Sequence, residues 1–81
     1  MKRVPQYIVI PFRWAKGRAF PGEMRRSNSE ELAVALAERM SNYWAGVVAL
    51  EVAVDMETGE MFEPRELAVF GNAPDLQAEA A

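Results

Sequence analysis

The stretch VVALEVAVD, residues 47–55, does most to limit what this chain can become. Its side chains alternate with period two: Val48, Leu50, Val52 and Val54 point one way, and Val47, Ala49, Glu51, Ala53 and Asp55 the other. Such alternation builds a strand, and a strand needs partners and a covering layer. The segment before it supplies a layer. Ala33, Leu36, Ala37, Met40 and Trp44 recur at helical spacing as one apolar stripe, with Leu32 and Tyr43 at its margins. Ser27 with Glu30 forms a capping box, Asn28 with Glu31 offers a second register, and Gly46 suits the position just past the helix end. The stripe is expected to meet the Val48, Leu50, Val52 and Val54 side.

Three further strands follow from the pattern. QYIVIPFRW, residues 6–14, is β-branched and aromatic, and Pro11 marks it as an edge or bulged strand because proline cannot donate to a ladder. After the turn at Gly17, RAFPGEMRRS forms a shorter strand interrupted at Pro21 and Gly22. MFEPRELAVFG returns as the last strand, with Leu67 and Val69 on one side and Ala68 and Phe70 on the other. The order ββαββ predicts an α+β fold, an antiparallel four-stranded sheet with one helix on one face. Residues 1–72 form the single expected domain, and 73–81 an expected disordered tail.

At 81 residues, such a domain buries only about 60–65% of its unfolded surface. The chain contains neither cysteine nor histidine. That removes disulfides, thiolate and imidazole metal sites, and the Ser-His-Asp and Cys-His nucleophile arrangements. Among the acids, Glu30 and Glu31 sit at a helix start, and Glu60, Glu63 and Glu66 on an exposed hairpin, so neither group forms a catalytic dyad in a cleft. No enzyme activity, cofactor or metal is expected. The opening residues lack an uninterrupted apolar run, and no stretch reaches the roughly 18 apolar residues that span a bilayer. The default address is cytoplasmic, with no membrane partner.

DMETGEMF, residues 55–62, invites comparison with a calcium loop, with Asp55, Glu57 and Glu66 at ligand positions one, three and twelve. Gly59 then occupies a ligand position and Glu60 the position that requires glycine. A hairpin accounts for each residue: Asp55 accepts from an amide two residues on, Met56 to Thr58 turn, and Gly59 takes the left-handed step.

YIVIPF, the KGR turn, LAERM, AGVVA, TGE and LAVFGNAP, spread over residues 7–74, resemble a small uncharacterised single-domain family of bacterial proteins, mainly proteobacterial. The chain departs from it at LEVAVD, where the family has a more polar strand. The family is a domain of unknown function with no established activity, so the resemblance implies a shared fold and assigns no catalytic residue.

Charge is unevenly distributed. Residues 1–26 hold seven basic side chains against one acid, a net +6; the remainder holds two against eleven, a net −9. Arg13, Trp14, Lys16, Arg18, Arg25 and Arg26 mix cations with a ring, the combination that binds single-stranded nucleic acid. A single glycine in KGR is too little for a phosphate cradle. The favoured function is instead a non-enzymatic protein-interaction module, with a protein partner or a second copy as ligand. One helix covers one sheet face, which leaves the other face or an edge strand for contact. Tyr7, Val9, Val47 and Phe70 are the expected contacts on that open face, so Val47→Lys should give a folded monomer.

Overall fold

β1 (Arg3–Ala15) is the spine of the sheet. Along one side it pairs with β4 (Gly46–Asp55) in one unbroken register, from Arg3 opposite Asp55 to Phe12 opposite Gly46. Along the other it pairs with β2 (Arg18–Pro21) and then β3 (Arg25–Ser27). β5 (Met61–Gly71) lies outside β4, so the order is β2-β1-β4-β5 with β3 beside β2 on the same side of β1. The computed structural model describes residues 3–74. It is an α+β fold, one helix on an antiparallel sheet of five strands rather than the expected four. The extra strand arises because the expected second strand is cut in two. Gly22 donates to the Pro11 carbonyl at 2.8 Å, and a one-residue slip between Pro21 and Arg25 restarts the pairing as β3.

Helix α1 (Glu30–Met40) is capped one residue after the expected Asn28 register and two after the expected Ser27 register. Ser29, in extended conformation, accepts from the Leu32 amide, and Glu30 and Glu31 fill the acidic first turn. The helix ends at Met40 with Ser41 as its cap, well before Gly46. Tyr43 and Trp44 continue as turns whose amides bond to the Met40 carbonyl, so Trp44 completes the apolar stripe from outside the helix. Gly46 instead opens β4, where an added Cβ would collide with the Asn72 backbone.

The face that α1 covers is the opposite of the expected one. Ala33 and Ala37 are fully buried against Val9, Val47 and Ala49, with Tyr7, Leu36, Met40, Leu67 and Phe70 packed around them. Chirality gives the reason. β3 and β4 are both antiparallel to β1 and hence parallel to each other, so β3-α1-β4 is a crossover of the kind that is almost always right-handed. The Pro11 carbonyl points toward Gly22, on the β2/β3 side. For L-residues in that orientation, Val9 and Pro11 project onto the side a right-handed crossover covers. Val48, Leu50, Ile8 and Phe12 take the second face, where Ile10, Ala19 and Ala73 pack with them. Of the expected tail, residues 75–81 lie outside the described residues.

β5 carries two bulges. Ala49 is opposite Ala68 but Leu50 is opposite Glu66, so Leu67 is an extra residue and joins Ala68 on the helix side. This reverses the expected placing of Leu67 beside Val69. A second slip falls near Glu63, whose φ of 52° is left-handed.

Residues 55–62 form the expected hairpin connection. Asp55 accepts from the Glu57 amide at 2.8 Å, its carbonyl accepts from Gly59 at 2.7 Å, and Gly59 has φ 80°. Asp55 is the charged side chain that the fold buries among the described residues. Asp55→Ala should cost about 1 kcal/mol, the net worth of a lost turn bond, while Asp55→Asn keeps an acceptor and most of the stability. Urea unfolding of the two variants checks this; equal midpoints would mean that the side chain does not hold the turn.

Candidate interaction surface

Tyr7, Val9, Val47 and Phe70 do share one face, but it is the face under α1. Val9 and Val47 are completely buried there, and Tyr7 and Phe70 pack at the margin of the same cluster. Val9 and Val47 are core and Tyr7 and Phe70 are half-buried at its margin, so the face expected to be open is the one that α1 covers. The helix is tied over them by Arg65. From β5 its guanidinium donates to Glu51 of β4 at 2.9 Å and to Glu30 in the first turn of α1 at 3.2 Å. The hydrogen bond and charge of Glu51, followed by those of Glu30, raise the Arg65 pKa above its ordinary value.

The basic and aromatic residues do not form one track. Cross-strand partners share a face. Arg25, opposite Val9, is therefore on the helix side, where it meets Glu23 at 3.7 Å; Arg26, opposite Ile8, is on the second face. Arg13 stacks over the Trp44 ring at 5.5 Å on the helix side. Trp14 points to the second face and donates to the Asn72 carbonyl at 2.6 Å. Lys16 lies in the turn that leads to β2, where Lys16 and Gly17 both have positive φ and Arg18 starts the returning strand.

The second face holds part of the exposed apolar surface; Leu32 on α1, Tyr43 just after it and Phe20 opposite Arg13 hold the rest. Trp14, Met24, Met56, Met61 and Val69, between 39% and 60% exposed, ring a buried centre of Ile8, Phe12, Val48, Leu50 and Val52. One end opens into a groove of about 310 Å³ lined by Gln6, Ile8, Met24, Arg26, Val54 and Met61. The other end holds a groove of about 530 Å³ between Phe12, Trp14, Arg18, Pro21 and Pro74. Isolated exposed apolar residues are ordinary, whereas five around one buried centre form a patch. The sequence carried a signal for this face that residue size concealed. The Asp55 turn makes Asp55 a closing pair of the hairpin, which directs the peptide groups of odd β4 residues to β5; a right-handed crossover then places the even residues away from the helix.

Among the described residues, no group of three or more Asp or Glu is placed to hold a metal ion, and no helix is long and apolar enough to cross a membrane. Comparison with protein-family models, curated proteins and solved structures gives no match to this chain.

Val47 provides a direct check on which face is core. Val47→Lys buries a cation under α1 with no partner, at a cost of several kcal/mol, comparable to the whole stability of a domain this small. It should abolish the cooperative thermal transition seen by circular dichroism; a folded variant would place Val47 outside the core.

Proposed function

We propose that this protein is a non-enzymatic interaction module whose contact surface is the sheet face opposite α1. The observation that carries this reading is the ring of exposed methionines, valine and tryptophan around the Ile8, Val48 and Leu50 centre. Methionine is flexible and polarizable, and it suits a surface that adapts to a protein partner.

Two alternatives have less support. Strand addition at β5 would need a regular outer edge, and two bulges and Pro64 leave only the short run after Leu67 regular. Nucleic-acid binding through the N-terminal hairpin would need its cations and rings along one groove, and Arg13 and Trp14 lie on opposite faces. The kinship suggested by the YIVIPF and LAVFGNAP motifs implies a shared fold and assigns no activity.

A photoactivatable cross-linker at Met61 on the second face, compared with one at Glu38 on α1, tests the proposal in living cells. Adducts to protein chains from Met61 and none from Glu38 are expected. Equal yields from the two positions, or adducts from Met61 only to residues 75–81 of its own chain, would overturn it.

A further inference from the structure

We propose that the groove at the Met61 end of the second face is a binding site for a small amphipathic carboxylate, an apolar chain or ring that ends in one carboxylate group. This goes beyond protein contact and does not depend on it. Strand pairing brings the site together. Arg26 of β3 lies beside Ile8 of β1, and Met61 of β5 beside Val54 of β4. Gln6, Met24 and Met56, each two residues from one of these, complete the lining. Three separate segments of the chain thus bring three of its five methionines to one cavity.

The apolar surface inside the groove is open. Ile8, at 3% exposure, is only its floor. The walls are the thioether side chains of Met24, Met56 and Met61, at 50%, 60% and 59%. Such side chains adapt to the shape of an apolar guest, and their sulfur makes favourable contact with aromatic rings.

The polar groups fix the chemistry of the occupant's other end. The lining includes one cation, Arg26, and no carboxylate. Among the described residues the Arg26 guanidinium forms no ion pair, hydrogen bond or ring contact, whereas Arg3, Arg25 and Arg65 are each paired with a glutamate. The half-buried Gln6 amide forms no side-chain hydrogen bond within the same residues and supplies a further donor. A guanidinium presents two parallel N–H groups that match one carboxylate. A phosphate dianion fits less well, because a single positive charge faces two negative ones on a molecule of net charge −3. A carboxylate without an apolar body leaves the methionine walls unused. The volume of about 310 Å³ stands at the lower end of the roughly 300–1,000 Å³ typical of small-molecule sites, which suits a small free acid.

NMR of the full chain with isotopically labelled methionine methyls tests this. Three reporters lie in the groove, and Met40 on the helix side is an internal reference. The probe is phenylbutyrate, with phenylbutanol as its uncharged counterpart and acetate as the head group alone. Phenylbutyrate should shift the Met24, Met56 and Met61 methyls saturably, with a dissociation constant of about 1 mM or below, and leave Met40 and the Trp14 indole unmoved. The alcohol and acetate should each bind at least roughly tenfold more weakly. Arg26→Gln, with an unchanged Met40 signal to show that it is folded, should weaken phenylbutyrate binding about tenfold and leave the alcohol unaffected. Equal affinity for acid and alcohol, or an Arg26→Gln variant that binds the acid as the parent does, would overturn carboxylate recognition. Absence of saturable shifts at the three methyls, or equal shifts at Met40, would overturn the site. Cross-linking from Met61 reads protein contact and methyl titration reads the acid, so either can fail without the other.

Discussion

The close approach of α1 to the sheet governs the rest of the structure. Ala33 and Ala37 present almost no side chain, so the helix can lie directly on Val9, Val47 and Ala49, themselves small. Larger residues on either surface would lift the helix away, and the Arg65 bridge from β5 to Glu51 and Glu30 would lose its reach. Tyr7, Leu67, Phe70 and Trp44 close the margins of this thin contact. The helix thus lies over Val9, Val47 and Ala49, and Ile8, Phe12, Leu50 and Val52 are on the other face.

The bulge at Leu67 follows from the same constraint. A regular β5 would place Leu67 on the second face with Val69 and would turn Glu66 toward the helix. The extra residue moves Leu67 into the helix cluster and turns Glu66 outward beside Leu50. One slip thus adds an apolar side chain to the helix-side core and sets a carboxylate at the rim of the opposite face. The slip in β2/β3 has a related effect on the other edge, where Arg25 faces the helix side and Arg26 the second face.

Local patterns in the sequence were legible because they depend on short-range chemistry. The 33–44 stripe, the alternation of residues 47–55 and the Asp55–Gly59 turn specify a helix, a strand and a hairpin, and each is found. The cap residue was misplaced because Ser27, Asn28 and Ser29 can all accept an amide, and it is Ser29 that accepts from Leu32. The covered face was misassigned for a different reason. Side-chain size argues for the face with Leu50, but the side on which the crossover passes is set by backbone chirality. The contact residues went with it: Val9 and Val47 are core, and Ile8 and Leu50 belong to the second face.

The uneven charge of the sequence becomes a property of the sheet. Its order places the basic strands β2 and β3 at one edge and the acidic β5 at the other, with β1 and β4 between them. Among the described residues the ion pair that joins the N-terminal block to the remainder is Arg3 with Glu63, at 3.6 Å; the others are formed within each part. Charge compensation inside the molecule is therefore incomplete by geometry, because the two edges are held apart by the width of two strands. A sheet that is positive along one edge and negative along the other is self-complementary under one kind of rotation and self-repelling under another. At net charge −3, that distribution leaves little to attract a polyanion to the whole molecule. In this chain the patterning of charge along the sequence thus sets the polarity of the two sheet edges, while the fold itself is carried by alanine, glycine and the hand of a crossover.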